Sequence, residues 1–272
     1  LFYPFAASLN PRALVTSLLE NSRIRVRYLT EAFSLARSGS HWQARSADGS
    51  VLAHADLCVV ATGSGQLSAS LSSAELFHPV RGQLATLSET ATSRNLQRIL
   101  CFDNYVIPSR NGKHVVGATF DRASHDREAS RLESERLKQS VARVVPSLAA
   151  ALGPIVSERV SFRACTTDRL PAIGPLPMPD AAERFPGIWF RTADSRCYPR
   201  EFFQPNLYTS VGHGSHGLLT ALLGGELIAA LAFDLPLPLA ERHASALAPA
   251  RFLVRALRRR DPSLTDRAGT GS

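Results

Sequence analysis

Near the end of this chain, Gly212-His213-Gly214-Ser215-His216-Gly217 sets three glycines between a strand-like run, Leu207 to Val211, and a long apolar run reaching Phe233. Glycines at this spacing permit positive φ and let backbone amides approach a ligand. A helix beginning there presents unpaired N–H groups and the positive end of its dipole. The spacing matches the dinucleotide fingerprint literally, but that fingerprint needs a complete βαβ unit. Here Asp234 falls in Leu235-Pro236-Leu237-Pro238, which is no second strand. The turn therefore reads as a cradle for some other electron-rich ligand atom; a tight turn without a ligand is the bland alternative. His213 and His216 have no Cys, Asp or Glu cluster at ligand spacing, so no metal site is expected.

Leu57-Cys58-Val59-Val60-Ala61 is apolar without alternation and ends in Thr62-Gly63-Ser64-Gly65. That predicts a buried parallel strand whose end meets a ligand. Upstream, Asn10-Pro11 caps a helix, Ile24-Val26-Tyr28 alternates as a strand, and Trp42 to Ser46 with Val51 to Ala53 makes a hairpin over Asp48-Gly49. From about Phe77 the texture changes. Gln83 to Leu87, Tyr105 to Pro108 and His114 to Thr119 predict antiparallel strands, with Asn111-Gly112 as a hairpin turn. A helix is predicted over Glu128 to Val145, its apolar face carrying Leu132, Leu137, Val141 and Val144 and its end set by Pro146. A last helix is predicted from Arg242 to Arg260.

Apolar residues make up 44% and charged residues 20% of 272, close to the globular norm, which argues against wholesale disorder; the α/β class follows with the family resemblance given below. The four cysteines, Cys58, Cys101, Cys165 and Cys197, form no C-x-x-C pair. That argues against a disulfide scaffold or zinc ribbon and for a reducing cytoplasm. Cys165 reads as a small buried residue, since no histidine is placed as its base. The stretch Leu218 to Phe233 contains Glu226 and two glycines, so no membrane span is expected. Net charge is +8, and 29 of the 31 basic residues are arginine. Arginine-rich codon usage explains this blandly; a polyanionic partner explains it through guanidinium–phosphate forks. The arginines Arg251, Arg255 and Arg258 to Arg260, at helical spacing, are the expected phosphate contacts.

Several strings occur in a fixed order: Val59-Val60-Ala61-Thr62-Gly63, Pro79-Val80-Arg81-Gly82-Gln83, Tyr105-Val106-Ile107-Pro108 and Val116-Gly117-Ala118-Thr119. Arg163 to Gly174 and Gly212 to Leu218 follow. Together they resemble the glycine/D-amino-acid oxidase superfamily of flavoproteins over nearly the whole chain. Within it, Arg-x-x-Thr-x-Asp-x-Leu-Pro and the ending Pro249 to Arg255 are similar to the branch that modifies the wobble uridine of tRNA. The resemblance implies a FAD-binding domain of the D-amino-acid-oxidase kind over 1–76 and 160–240. An antiparallel substrate domain is inserted over 77–159, and 241–272 forms a basic helix and tail. The superfamily's opening G-x-G-x-x-G unit has no counterpart in residues 1–60, so the FAD domain is expected to be N-terminally incomplete.

The same resemblance implies FAD as cofactor, held by Ala32, Ala61, Thr62, Gly63, Arg81, Gly82, Gly212, His213, Gly214, Ser215, His216, Gly217 and Leu218. Arg163 and the Tyr105 hydroxyl are implied as holders of the substrate carboxylate. His216, where the tRNA-modifying branch carries arginine, is a further catalytic candidate. The implied reaction removes the carboxymethyl group from 5-carboxymethylaminomethyl-(2-thio)uridine of tRNA, beside a methyltransferase domain N-terminal in the full-length protein. Two rivals stand next to it: an oxidase of a free amine or amino acid, and a non-catalytic RNA-binding remnant.

Overall fold

The computed structural model describes residues 2–63, 77–188 and 194–258. The chain divides into two compact units, 1–27 with 79–163 and 28–78 with 164–272. The sequence pattern placed the crossings near 76 and 160.

The first unit is built on a five-stranded sheet, β6-β7-β8-β5-β9. Its strands are β5 (Phe77–Ser88), β6 (Leu100–Cys101), β7 (Tyr105–Arg110), β8 (Lys113–Gly117) and β9 (Ile155–Thr166). β7 and β8 form the expected hairpin, and Asn111 and Gly112 both take positive φ, as a type I′ turn requires. Helices α2 (Arg131–Val144) and α3 (Pro146–Ala151) belong to the same unit. Ser130 caps α2 by accepting the Glu133 amide, and Pro146 stops α2 while serving as the first residue of α3. Leu137 and Val141 of α2 pack with Leu87, Val106, Val116 and Ile155 in one core. Leu132 and Val144 do not join it and are exposed. Leu132 lies nearly half a turn from the buried stripe, and Val144 is in the last turn. Helix α1 (Pro11–Leu19) forms as expected, with Asn10 Oδ1 accepting the Arg12 and Ala13 amides at 3.0 and 3.3 Å, but it buries no residue.

The second unit holds two three-stranded sheets. Strands β1 (Ser34–Ser38), β2 (His41–Arg45) and β3 (Val51–Ala55) form an antiparallel meander. In the other sheet the order is β10-β11-β4, from β4 (Cys58–Val60), β10 (Ala172–Pro177) and β11 (Phe203–Val211). β4 runs parallel to β11, as the apolar run predicted. It is not covered on both faces: Val60 is buried but Val59 is 40% exposed. Trp42 joins the two sheets by packing with Val60, Leu176 and Leu207.

Helix α4 (Ala181–Arg184) precedes β11, and α5 (Gly217–Ala232), α6 (Glu241–Leu247) and α7 (Ala250–Arg258) follow it. The single helix expected over 242–260 is two, because Pro249 cannot continue α6 and instead opens the way into α7. Ala250 and Val254 of α7 sit in a core with Phe202 and Tyr198, so this helix is packed rather than appended. Arg259 and Arg260 lie outside the described residues, as do Ser64 and Gly65. The expected strand Ile24 to Tyr28 does not form as a strand, and its apolar side chains Ile24, Val26 and Tyr28 are exposed, so burial does not hold them in a sheet.

The first unit's sheet depends on the α2 contact. Leu87→Ala removes a fully buried side chain there and should lower unfolding free energy by about 2–5 kcal/mol. A urea midpoint that falls with an unchanged slope checks it.

Candidate active site and cofactor cradle

The glycine turn lies between β11 and α5. Gly212 and Gly214 both have positive φ, at +73° and +55°. A Cβ on Gly212 would come within 2.6 Å of Thr166 Cγ2, so only glycine fits. The Gly214 amide donates to the Ala164 carbonyl at 2.9 Å, pinning the turn to the end of β9. Among the described residues, the amides of Ser215, Gly217 and Leu218 donate to no backbone carbonyl. They stand at the positive end of a 16-residue helix.

Helix α5 can lie close to its sheet because of Gly224, where a Cβ would meet Ser210 Oγ at 2.8 Å and Ile173 Cδ1 at 3.2 Å. A cleft of about 510 Å³ opens beside it, lined by Val59, Ala61, Gly63, His213 and Gly225 among others. Gly63 has φ +62° and open space where a Cβ would be. Thr62 is half-buried between the exposed Ala61 and Gly63. His213 Nδ1 lies 2.9 Å from Thr220 Oγ1 and Nε2 lies 3.1 Å from Ser210 Oγ. The Thr220 hydroxyl donates to the His216 carbonyl at 3.0 Å. The network therefore assigns the proton to Nδ1, and burial pushes the imidazole pKa down, keeping it neutral. His216 is exposed at the start of α5 and its side chain makes no capping bond. Ala32 is exposed in an irregular segment and does not line the cleft.

Beneath the turn lies a polar anchor that the sequence reading did not find. Asp168 receives two bonds from the Arg251 fork, Nε to Oδ2 at 2.8 Å and Nη2 to Oδ1 at 3.0 Å, and a third from Arg255 Nη1. Arg251 also donates to the carbonyls of Leu170, Leu247 and Ala248. Thr166 donates to the Leu170 carbonyl at 2.7 Å and lies 3.1 Å from Asp168 Oδ1. Burial alone would raise the Asp168 pKa, but the two guanidinium groups overcome it and hold the carboxyl well below the usual range. Arg251 is thereby committed to the fold, against its expected contact with phosphate. The available signal was the pairing of Arg251 and Arg255 at i, i+4 with a lone Asp168 in the Thr-x-Asp string.

In the first unit, Arg163 on β9 faces Gly82 on β5. A Cβ at Gly82 would sit 2.2 Å from Arg163 Nη1, so glycine makes room for the guanidinium. Arg163 donates to the Thr119 carbonyl at 3.3 Å and has no carboxylate partner among the described residues. Tyr105 lies opposite Gly117, where a Cβ would be 3.0 Å from the phenol oxygen. Burial raises the Tyr105 pKa and the Arg163 charge partly offsets this, so the phenol stays protonated and able to donate. Arg81 differs from its expected cofactor role. It is 2% exposed and pairs with Glu133 at 2.7 Å. Its remaining bonds go to the carbonyls of Asp126 and Glu128 and to Gln83.

These features define a flavoprotein oxidoreductase, and the chain belongs to the FAD dependent oxidoreductase (DAO) family, whose pattern matches residues 1–231. It is 36% identical over 265 residues to the tRNA 5-methylaminomethyl-2-thiouridine biosynthesis bifunctional protein MnmC of Pseudomonas fluorescens, covering 94% of this chain and 40% of that protein. The protein of the same name in Leptospira borgpetersenii is 35% identical over 234 residues, covering 84% and 36%. The chain thus spans about 40% of the length of the Pseudomonas relative. Among solved structures it is similar in fold to glycine oxidase of Geobacillus kaustophilus, with a TM-score of 0.58 at 22% identity, covering 80% of this chain and 51% of that one. For iminodiacetate oxidase of Chelativorans the TM-score is 0.59 at 20% identity, covering 79% and 52%.

The open amides of the Gly212 turn and the glycine-edged cleft offer the donors and the room that a cofactor such as FAD requires. Its pyrophosphate needs a glycine-rich turn from strand into helix. The only glycines before Gly63 are Gly39 and Gly49, which follow β1 and separate β2 from β3.

Asp168 is held lower in the fold than in the unfolded chain. Its stabilisation is complete above about pH 4 and fades as pH falls below that. Asp168→Asn should therefore unfold at lower urea than the parent at neutral pH, with the difference shrinking toward about pH 2. Parallel curves at both pH values would contradict the anchor.

Proposed function

We propose that this chain is the oxidase part of an enzyme acting on tRNA, converting the 5-carboxymethylaminomethyl group of the wobble (2-thio)uridine to aminomethyl with release of glyoxylate. Its place is the cytoplasm, in one polypeptide with a methyltransferase domain. The carrying observation is the Arg163 guanidinium, accommodated by Gly82 and free of a carboxylate partner among the described residues. A fork of this kind binds a substrate carboxylate by two charge-assisted bonds, and the protonated Tyr105 hydroxyl is a second donor in the same sheet.

FAD, when bound, supplies acceptance of the two electrons leaving the glycine carbon. Holding it falls to the Ser215, Gly217 and Leu218 amides with Ala61, Thr62 and Gly63, and the α5 dipole favours negative charge at that turn. Neutral His213 keeps the turn in register through Ser210 and Thr220 without adding a charge. Holding the carboxylate by Arg163 fixes which carbon is presented, and positioning of this kind is a large part of what an oxidase contributes. The relatives are named for 5-methylaminomethyl-2-thiouridine biosynthesis in tRNA, which supports tRNA as the carrier of the amine.

Glyoxylate release from modified tRNA by the full-length protein tests this reading. Flavin reduction by sarcosine or glycine, with none by modified tRNA, would overturn the tRNA assignment; tRNA binding without any flavin reduction would overturn the enzyme. Arg163→Lys keeps charge but loses the fork, and Gly82→Ala drives a methyl into the guanidinium. Each should raise KM by about tenfold or more, since about 1.4 kcal/mol is a factor of ten. An unchanged KM and kcat in both variants removes Arg163 from the site.

A further inference from the structure

Phe120 is 53% exposed, yet the backbone on either side of it is held by hydrogen bonds. On one side the Thr119 amide donates to the Gln83 carbonyl at 3.1 Å, and the Gln83 amide donates to Thr119 Oγ1 at 2.8 Å. On the other, Arg81 and Asp121 exchange two backbone bonds at 2.8 and 2.9 Å. Arg81 and Gln83 are themselves locked by their side chains. Arg81 pairs with Glu133, and Gln83 donates to the Ser130 carbonyl and the Ser134 hydroxyl at 2.7 Å each. A fully satisfied buried polar network of this kind rigidifies the backbone that it holds. What it fixes here is a solvent-facing aromatic ring. Two guanidinium carbons lie over that ring in loose cation–π contacts, Arg122 at 5.5 Å and Arg163 at 5.7 Å from its centroid.

We propose that Phe120 is the stacking platform for the uracil ring of the substrate, and so the residue that separates a base-borne glycine from a free amine. This rests on the reading that Arg163 takes the substrate carboxylate. In the substrate, four bonds of about 1.5 Å join the carboxylate carbon to the base, an extended reach of about 5 Å. The Arg163 guanidinium carbon lies 5.7 Å from the Phe120 ring centroid, so the two groups stand close enough to meet one small molecule. Arg122 adds a second cation beside the ring, which suits an anionic nucleotide better than a free amine.

The test is calorimetric binding to the full-length protein of two probes, the nucleoside 5-carboxymethylaminomethyluridine and iminodiacetate, which shares the carboxymethylamine but lacks the base. In Phe120→Ala the ratio of nucleoside to iminodiacetate affinity should fall about tenfold, the effect expected for one lost stacking surface. Phe120→Tyr should restore it. A ratio unchanged in Phe120→Ala overturns the platform, as does a parent that binds iminodiacetate but not the nucleoside. A parent that binds the nucleoside through Phe120 yet releases no glyoxylate overturns only the reaction above. A parent that binds neither overturns both.

Discussion

The Arg251–Asp168 fork is the interaction on which the second unit's cradle rests. A planar guanidinium donating to both carboxylate oxygens fixes the distance and the angle between two chain segments, which a point charge would not do. Asp168 in turn lies beside Thr166, whose methyl packs where any side chain on Gly212 would have to go. Helix α7 thus helps to hold, through Asp168, the Thr166 side chain that leaves room only for glycine at 212. That helix lies beyond residue 231, where the family pattern ends.

Buried polar groups do comparable work in the first unit. Arg81, Gln83, Glu133 and Ser134 satisfy one another and the carbonyls around them, so the cost of removing them from water is met locally. Glycines then decide which side chains can approach. Gly82 admits the Arg163 guanidinium, Gly117 leaves room for the Tyr105 phenol, and Gly224 brings α5 down onto its sheet. In each case the absent Cβ is what creates the contact.

Much of this was legible in order along the chain. Alternation and turn residues marked the β7–β8 hairpin, the apolar run before Thr62-Gly63 marked a parallel strand, and Asn10-Pro11 marked the start of α1. These signals are local, and the physics behind them acts within a few residues. Where the reading failed, the cause was long-range. Ile24 to Tyr28 alternates correctly but its apolar side chains stay exposed, and Leu132 is apolar but lies off the stripe that α2 buries. Arg81 and Arg251 looked like ligand-facing cations, because a sequence does not show that Glu133 and Asp168 reach them first.

By itself, then, the sequence determined most of the element types and the position of the glycine turn before α5, since these depend on local backbone conformation, and its ordered strings carried the resemblance to the flavoprotein family. Only the tertiary structure decided which charges are available. An arginine's role depends on whether a carboxylate fifty or eighty residues away lies within about 3 Å. Arg81 and Arg251 have such a partner, whereas no carboxylate pairs with Arg163 among the described residues, and on that difference the proposed clamp rests.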